Sequence, residues 1–130
     1  MEKGVNTDTR HRIGGVIFRR AVECGTLRDG VAEGVELAGW PIVIAMIDGQ
    51  PQAAINRCTH AAAAFVPGGR IRRGTLMCPA HGAQFAMKDG RCLGGLYKPL
   101  RTFPCRIVDD WVEIDVPDAP PGADEQLVTR

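Results

Sequence analysis

Two short segments of the sequence each combine a cysteine with a histidine, and both residue types bind metals. The segments are Cys58-Thr59-His60 and Cys78-Pro79-Ala80-His81, with residues 61–77 between them. Thiolate and imidazole suit iron, copper or zinc. Because each segment offers one ligand of each type, the two loops could place both thiolates on one metal ion and both imidazoles on a second.

The same four residues have two simpler interpretations. Cys58 and Cys78 could be buried thiols beside core histidines, although two mixed pairs favour this less than one pair would. A mononuclear zinc site with these four ligands is the stronger rival. Structural zinc sites, however, more often use C-x-x-C or H-x-x-x-H halves than two mixed halves. The two mixed halves therefore favour zinc less and leave a binuclear site open.

The composition limits what can surround such a site. The chain has 130 residues, 45% of them hydrophobic, with a formal net charge of +1. This length suits one domain, and the charge gives no general attraction to nucleic acid or membranes. Residues 1–10 are polar and lack the apolar core of a secretory signal. We therefore expect a cytoplasmic protein whose five cysteines are ligands or buried thiols rather than disulfides.

Hydrophobic patterning predicts strands on both sides of the metal-binding segments. The earlier group, in which Asp48-Gly49 forms a hairpin turn, comprises strands near 16–19, 35–37, 41–47 and 52–56. The later group comprises two strands. In the first, Phe103, Cys105 and Ile107 are predicted to point inward, and the last strand contains Val112, Ile114 and Val116. The chain is therefore predicted to be all-β.

Residues 57 to about 100 differ from these strands because they are rich in glycine, proline, cysteine and histidine. Such a stretch buries little apolar surface, and a bound metal would order it. We predict a flexible lead-in at 1–14, one domain at 15–116 and a disordered tail at 117–130, since the tail is rich in proline, aspartate and glycine.

The paired segments resemble the cluster loops of the Rieske proteins, which read C-x-H and C-x-x-H. The likeness covers roughly residues 16–116 and includes Gly82 after the second histidine, an aromatic residue at Phe85 and a hairpin turn at Asp89-Gly90. Residues 94–100 resemble the proline-containing third loop of that family. The resemblance implies a Rieske fold, an antiparallel β-sandwich base with a small loop-rich cluster-binding subdomain at about 57–100.

The resemblance also implies one Rieske-type [2Fe–2S] cluster held by Cys58, His60, Cys78 and His81. Neutral histidines in place of two thiolates reduce the negative charge of such a site and so raise its reduction potential above that of an all-cysteine cluster. The exposed edges of the two histidines would be the points where electrons leave.

Departures from the family pattern favour a low potential. Respiratory Rieske proteins have a disulfide whose matching positions here are Ala63 and Ala80, and a serine that hydrogen-bonds the cluster where this chain has Ala83. Losing hydrogen bonds to the sulfurs lowers the potential. A second departure is Ala62 where the family usually has glycine. If the backbone at Ala62 needs a positive φ, alanine costs about 1 kcal/mol.

The function implied by the resemblance is one-electron transport by a stand-alone ferredoxin rather than catalysis. Its partners would be a flavin-dependent reductase and a terminal oxygenase such as an aromatic-ring dioxygenase, and it would act as a monomer without nucleic-acid or membrane partners. The alternatives are a small subunit of a nitrite-reductase-type enzyme and a non-redox zinc-stabilised binding module. The large subunit of an oxygenase would also need a mononuclear iron site with two histidines. His11, the one histidine outside the two segments, could not build such a site, so this class is excluded.

The remaining notable residues have simple interpretations. Cys24 and Cys92 have no neighbouring ligand in the sequence, and Cys105 is predicted to lie in the core. The basic run 70–73 lies between the metal-binding segments. It lacks interleaved aromatic residues, which argues against nucleic-acid binding and leaves a solvated turn or a docking role.

Overall fold

The computed structural model describes residues 11–13, 16–59 and 62–126, and β-strands dominate it. Within these ranges the chain forms two short 3₁₀ helices, Cys24–Thr26 and Ala123–Glu125, and no α-helix. The part of the chain that is described contains no helix long and apolar enough to cross a membrane. The predicted all-β class is confirmed.

The strands form three antiparallel sheets. In spatial order, the first sheet contains β1 (His11–Ile13), β2 (Val16–Glu23), β11 (Trp111–Asp115) and β10 (Cys105–Val108). The second contains β3 (Glu33–Leu37), β4 (Trp40–Ile47), β5 (Gln50–Ile55) and β9 (Thr102–Phe103). The third is smaller and contains β6 (Arg70–Arg72), β7 (Thr75–Met77) and β8 (Gln84–Ala86).

The core lies between the first two sheets. In β4, Ile42, Val43 and Ile44 are consecutive and fully buried, as expected of a strand covered on both faces. From the other sheet, Val112 and Ile114 are equally buried, as predicted. The predicted alternation is wrong at Glu113, which lies between them and is fully buried as well. These strands form the rigid base from which the metal-binding segments extend.

The third sheet lies between those two segments along the chain. Its register aligns Ile71, Leu76 and Phe85 across the three strands. Leu76 and Phe85 are fully buried, because alternate residues of a strand point to opposite faces. One face of this sheet therefore packs inward and the other carries the alternate side chains.

The predicted run of alternation from Phe103 to Ile107 is divided between two sheets. Phe103 belongs to β9 and is buried, whereas Cys105 begins β10. The division falls at Pro104, which has no backbone N–H to donate to a ladder. Ile107 pairs with the buried Val112 but is 43% exposed, because β10 is the outermost strand of its sheet. Ile107 is thus not a core residue.

Segments near both ends of the chain belong to the described structure. Residues 11–13 of the predicted lead-in form β1 and pair with β2, whereas residues 1–10 and 14 lie outside the described residues. Residues 117–126, predicted as part of a disordered tail, form four side-chain hydrogen bonds with earlier described residues, among them one from Trp40 and one from Arg101. The Trp40 Nε1–H donates to the Ala119 oxygen at 3.1 Å, and the Arg101 Nε–H donates to Glu125 at 2.6 Å. Residues 127–130 are not described.

Candidate metal centre

The first metal-binding loop begins directly after β5. The Cys58 N–H donates to the Ala63 oxygen at 2.8 Å, and the Ala62 N–H donates to the Cys58 oxygen at 2.8 Å. Ala62 has φ = +60°. This is the positive φ at which the sequence analysis expects alanine to be strained. The closed turn leaves the Cys58 side chain fully buried.

The second loop begins directly after β7 and repeats this pattern. The Cys78 N–H donates to the Ala83 oxygen at 2.8 Å, and the Gly82 N–H donates to the Cys78 oxygen at 2.9 Å. Gly82, four residues after its cysteine as Ala62 is, has φ = +74°. Cys78 is 1% exposed. The two loops therefore present their thiols from equivalent backbone positions.

A pair of phenylalanines extends the correspondence. Phe65 and Phe85 each follow a loop cysteine by seven residues and are fully buried. Their ring centroids are 5.7 Å apart at an interplanar angle of 86°, the edge-to-face geometry that aromatic pairs favour. The aromatic at position 85 was noted in the sequence, but the pairing with Phe65 was missed. The equal spacing from the two cysteines could have indicated it.

The first loop has an additional buried anchor, Asn56. Its Oδ1 accepts hydrogen bonds from the N–H groups of Phe65 at 2.7 Å and Val66 at 3.0 Å, and its Nδ2 donates to the Val66 oxygen at 3.4 Å. Asn56 is 6% exposed. Sequence reasoning missed this role, although a polar residue two positions before a predicted ligand at a strand end was a usable signal.

The third loop contacts the first. The Thr59 hydroxyl donates to the Lys98 oxygen at 2.6 Å, which connects the first loop to residues 94–100. The Leu93 N–H donates to the Gln84 oxygen at 2.9 Å, which connects the residue before the third loop to β8, the strand that follows the second loop. At the predicted turn, Gly90 has φ = +82° and its oxygen accepts the Leu100 N–H at 2.8 Å. The first and third loops are thus joined by a direct hydrogen bond, and the third begins beside β8.

Three of the four predicted ligands lie in the part of the chain that is described. Cys58 and Cys78 are buried and His81 is exposed, whereas His60 lies outside the described residues. Among the described residues no three His, Cys, Asp or Glu side chains form a group that could hold a metal ion. The predicted arrangement does not require such a group, because each iron would take only two protein ligands.

The donor set fits an iron–sulfur cluster. Two thiols stand at equivalent positions of two loops that repeat the same hydrogen bonds, and thiolate sulfur is the ligand that such clusters use. Both thiols are removed from solvent, while His81 on the second loop faces solvent. The arrangement therefore suits a buried sulfur side and a solvent-facing imidazole side.

The other cysteines differ from the loop cysteines. Cys105 packs against the core, and its thiol donates to the Pro51 oxygen at 3.0 Å. Burial raises the pKa of the Cys105 thiol to about 11, so it stays protonated at neutral pH. Cys92 is 8% exposed and its thiol lies 3.4 Å from the Leu93 oxygen. Cys24 is half-buried.

Comparisons with known sequences agree with this site. The sequence profile described as "Rieske [2Fe-2S] domain" matches residues 19–104. The ferredoxin subunit of 3-phenylpropionate/cinnamic acid dioxygenase from Shigella boydii is 33% identical over 82 residues, which are 62% of this chain and 76% of that subunit. The protein of the same name from Escherichia coli K12 matches to the same extent.

Solved structures show the same fold. The ferredoxin of Sphingomonas yanoikuyae B1 superimposes with a TM-score of 0.70 at 27% identity, covering 77% of this chain and 99% of that one. The ferredoxin of carbazole 1,9a-dioxygenase from Nocardioides aromaticivorans IC177 gives 0.69 at 20% identity, covering 80% and 98%. From the loop geometry, the matched profile and these relatives together, the chain belongs to the Rieske [2Fe–2S] domain family.

Proposed function

We propose that this protein is a soluble one-electron carrier, a low-potential Rieske-type ferredoxin that passes electrons from a flavin-dependent reductase to a terminal oxygenase such as an aromatic-ring dioxygenase. The observation that carries the proposal is the pair of matching loops, each with a buried cysteine at the same backbone position. The names of the relatives, all ferredoxin subunits of a dioxygenase, support the choice of partner.

As a member of this family the chain carries one Rieske-type [2Fe–2S] cluster. In the proposal, Cys58 and Cys78 bind one iron, and His60 and His81 bind the other. When bound, the cluster supplies the reversible uptake of one electron. The protein buries the two thiols and exposes His81, so the imidazole side is the proposed exit for electrons.

A reduction potential near the low end of the Rieske range, about −150 mV, is part of the proposal. Ala63 and Ala80 carry no sulfur with which to bridge the two loops. Ala83 is 8% exposed and offers a methyl group where a hydroxyl would donate a hydrogen bond. Fewer hydrogen bonds to the cluster sulfurs leave the reduced, more negative state less stabilised.

The proposal extends to the setting of the protein. We place the Rieske domain at 15–116, with residues from about 57 to 100 as its cluster-binding part. The proposed location is the cytoplasm, and cysteines that serve as ligands or buried thiols support it, since structural disulfides are rare in that compartment. We infer a monomer that works without nucleic-acid or membrane partners.

The test is replacement of a known carrier. The reductase and oxygenase of the E. coli 3-phenylpropionate dioxygenase system are combined with NADH and substrate, with their own ferredoxin omitted and this protein added as the cluster-loaded form. We expect the reductase to bleach the cluster's visible absorption and product to form only when this protein is present. Failure of the reductase to bleach the cluster, together with no product, would contradict the proposal.

A further inference from the structure

The outer face of the three-stranded sheet is strongly basic. Its exposed residues include Arg70 and Arg72, which share one face of β6 because they are two positions apart. Arg73 is exposed at the following turn, where it has φ = +53°. Among the described residues no carboxylate lies within ion-pair distance of these three arginines. Their charge is therefore available to a partner.

This basic face borders a cavity. The cavity has a volume of about 610 Å³ and is lined by Arg70, Ile71, Arg72, Arg73, Thr75, Met77 and Gln84. The described lining contains no acidic and no aromatic side chain. A single-strand nucleic-acid surface would need aromatic side chains on which bases stack, so the chemistry favours a protein surface rich in carboxylates.

The basic face continues to the proposed electron exit. The cross-strand row Arg70, Met77 and Gln84 runs over the sheet beside Cys78. Gln84 also lines a second cavity, of about 330 Å³, whose lining includes His81. Leu96 on the third loop lines that cavity too and is 75% exposed. Leu93 lines the same cavity and is 42% exposed, so Leu93 and Leu96 form an apolar, solvent-facing patch beside His81. Gln84, which lines both cavities, lies between this patch and the unneutralised arginines.

A second basic group near the loops makes an instructive contrast. Arg57, Lys98 and Arg101 line a cavity that also contains Asp124 and Glu125. Arg101 forms an ion pair with Glu125 at 2.6 Å, so the chain's own C-terminal segment supplies carboxylates there. Arg70, Arg72 and Arg73 have no such internal carboxylate partner among the described residues. An external acidic surface could supply the carboxylates that they lack.

We propose that Arg70, Arg72 and Arg73 steer and hold the acidic surface of the electron-transfer partner, with His81 and the apolar patch facing the partner's redox centre. This inference rests on the proposed function, because it takes His81 as the electron exit and states the charge of the partner surface that docks beside it. Complementary charge speeds encounter and fixes orientation. The apolar patch would then exclude water from the contact, as the desolvated centre of an interface does.

The test uses the cluster-loaded protein on electrodes of defined charge. Protein-film voltammetry is run on gold bearing carboxylate-terminated monolayers, which mimic an acidic partner, and on amine-terminated monolayers. The variant Arg70→Glu/Arg72→Glu is compared with Arg28→Glu/Lys88→Glu, which makes the same change in net charge at exposed sites elsewhere. Bare graphite reports whether each protein holds an electroactive cluster.

We expect the electron-transfer rate on the carboxylate surface to fall about tenfold in Arg70→Glu/Arg72→Glu and less than about twofold in the matched control. On the amine surface, electron transfer should be faster in Arg70→Glu/Arg72→Glu than in the matched control. An equal loss of electron-transfer rate in both variants, or no loss in either, would overturn the docking proposal. Waves on graphite in the same proteins would show that the carrier function still holds. Absence of a wave on graphite in every protein would instead defeat the carrier function.

A short DNA duplex tests the other polyanionic partner. We expect no mobility shift of the duplex by wild-type protein at about 0.15 M salt. A shift that disappears in Arg70→Glu/Arg72→Glu would overturn the assignment of this face to an acidic protein.

Discussion

Ala62 and Gly82 occupy the same place in two loops that otherwise repeat each other. Each follows a loop cysteine by four residues, each donates its N–H to that cysteine's oxygen, and each has a positive φ. Glycine adopts this conformation without steric cost, whereas alanine pays about 1 kcal/mol. The hydrogen-bond pattern of the turn, rather than residue preference, therefore dictates the backbone of the first loop.

The two loops also differ in how they are anchored. Two positions before the cysteine, the first loop has the hydrogen-bonding Asn56 and the second has the fully buried Leu76. Leu76 is part of a sheet that continues through β7 and β8, whereas β5 ends just before Asn56. The amide thus supplies the first loop with backbone partners that a neighbouring strand supplies in the second.

Removing either loop cysteine should have the largest effect and should abolish the equivalence of the loops. Cys58→Ala and Cys78→Ala are each expected to lose the cluster, because a cluster of this type needs two thiolates on one iron. Iron and acid-labile sulfide analysis measures the loss.

Cys105→Ala is the matched control for those variants, and it should keep its iron. The pKa of the Cys105 thiol is raised to about 11 by burial, so at neutral pH it is protonated and unsuited to be a ligand. Retention of full iron and sulfide in Cys58→Ala or Cys78→Ala would contradict the assigned ligands.

Truncating the paired aromatic rings should destabilise the protein about equally from either side. Phe65→Ala and Phe85→Ala each remove a fully buried ring from one edge-to-face contact and should cost about 3–5 kcal/mol of unfolding free energy. Urea denaturation, monitored through the loss of the cluster's visible absorption, measures this unfolding free energy. Leu96→Ala, at a 75% exposed site, should change it by less than about 0.5 kcal/mol. A large cost for one ring alone would break the equivalence.

Asn56 should matter to the first loop through its acceptor. Asn56→Ala leaves the buried N–H groups of Phe65 and Val66 without their partner, and should cost about 1–3 kcal/mol. Asn56→Asp loses the longer bond to the Val66 oxygen and buries a carboxylate, but it keeps the acceptor for both N–H groups, which also stabilise the charge. The acceptor explanation therefore predicts a smaller cost than for Asn56→Ala. The urea midpoints of the two variants decide this, and equal losses would argue against that explanation.

Exchanging the residues at the left-handed positions should have the smallest effect, with opposite signs in the two loops. A Cβ at Gly82 would meet no atom within 4 Å, so Gly82→Ala should cost about 1 kcal/mol from backbone conformation alone. Ala62→Gly relieves the same strain, offset in part by unfolded-chain entropy, and should stabilise by about 0.5 kcal/mol. Urea midpoints shifting in the same direction for both variants would show that the loops are not equivalent.

Local patterns in the sequence predicted much of this molecule. The Pro41–Ile47 strand, the Asp48-Gly49 turn and the condition on Ala62 depend on neighbouring residues, and each has its counterpart in the structure. The position of residues 117–126 depends instead on a contact between Trp40 and Ala119. Composition alone does not encode such a distant contact, because the polar tail gains order only from the surface that receives it.

The site shows the same division. The ligand pattern is local in sequence, so it could be recognised there, although the ligand set remains a proposal. The Phe65–Phe85 contact and the exposure of Ile107 depend on which strand neighbours which. Those relations were not available from residue spacing, since a single alternating run does not reveal that Pro104 separates two sheets.

Protein-film voltammetry of the anaerobically purified protein tests the central claim most directly, namely that a low-potential Rieske cluster lies between the two cysteine loops. We predict one reversible one-electron wave near the low end of the Rieske range, about −150 mV. A wave near the high end, about +300 mV, would contradict the inference from Ala63, Ala80 and Ala83. No wave, with zinc bound in place of iron and sulfide, would contradict the electron-carrier function itself.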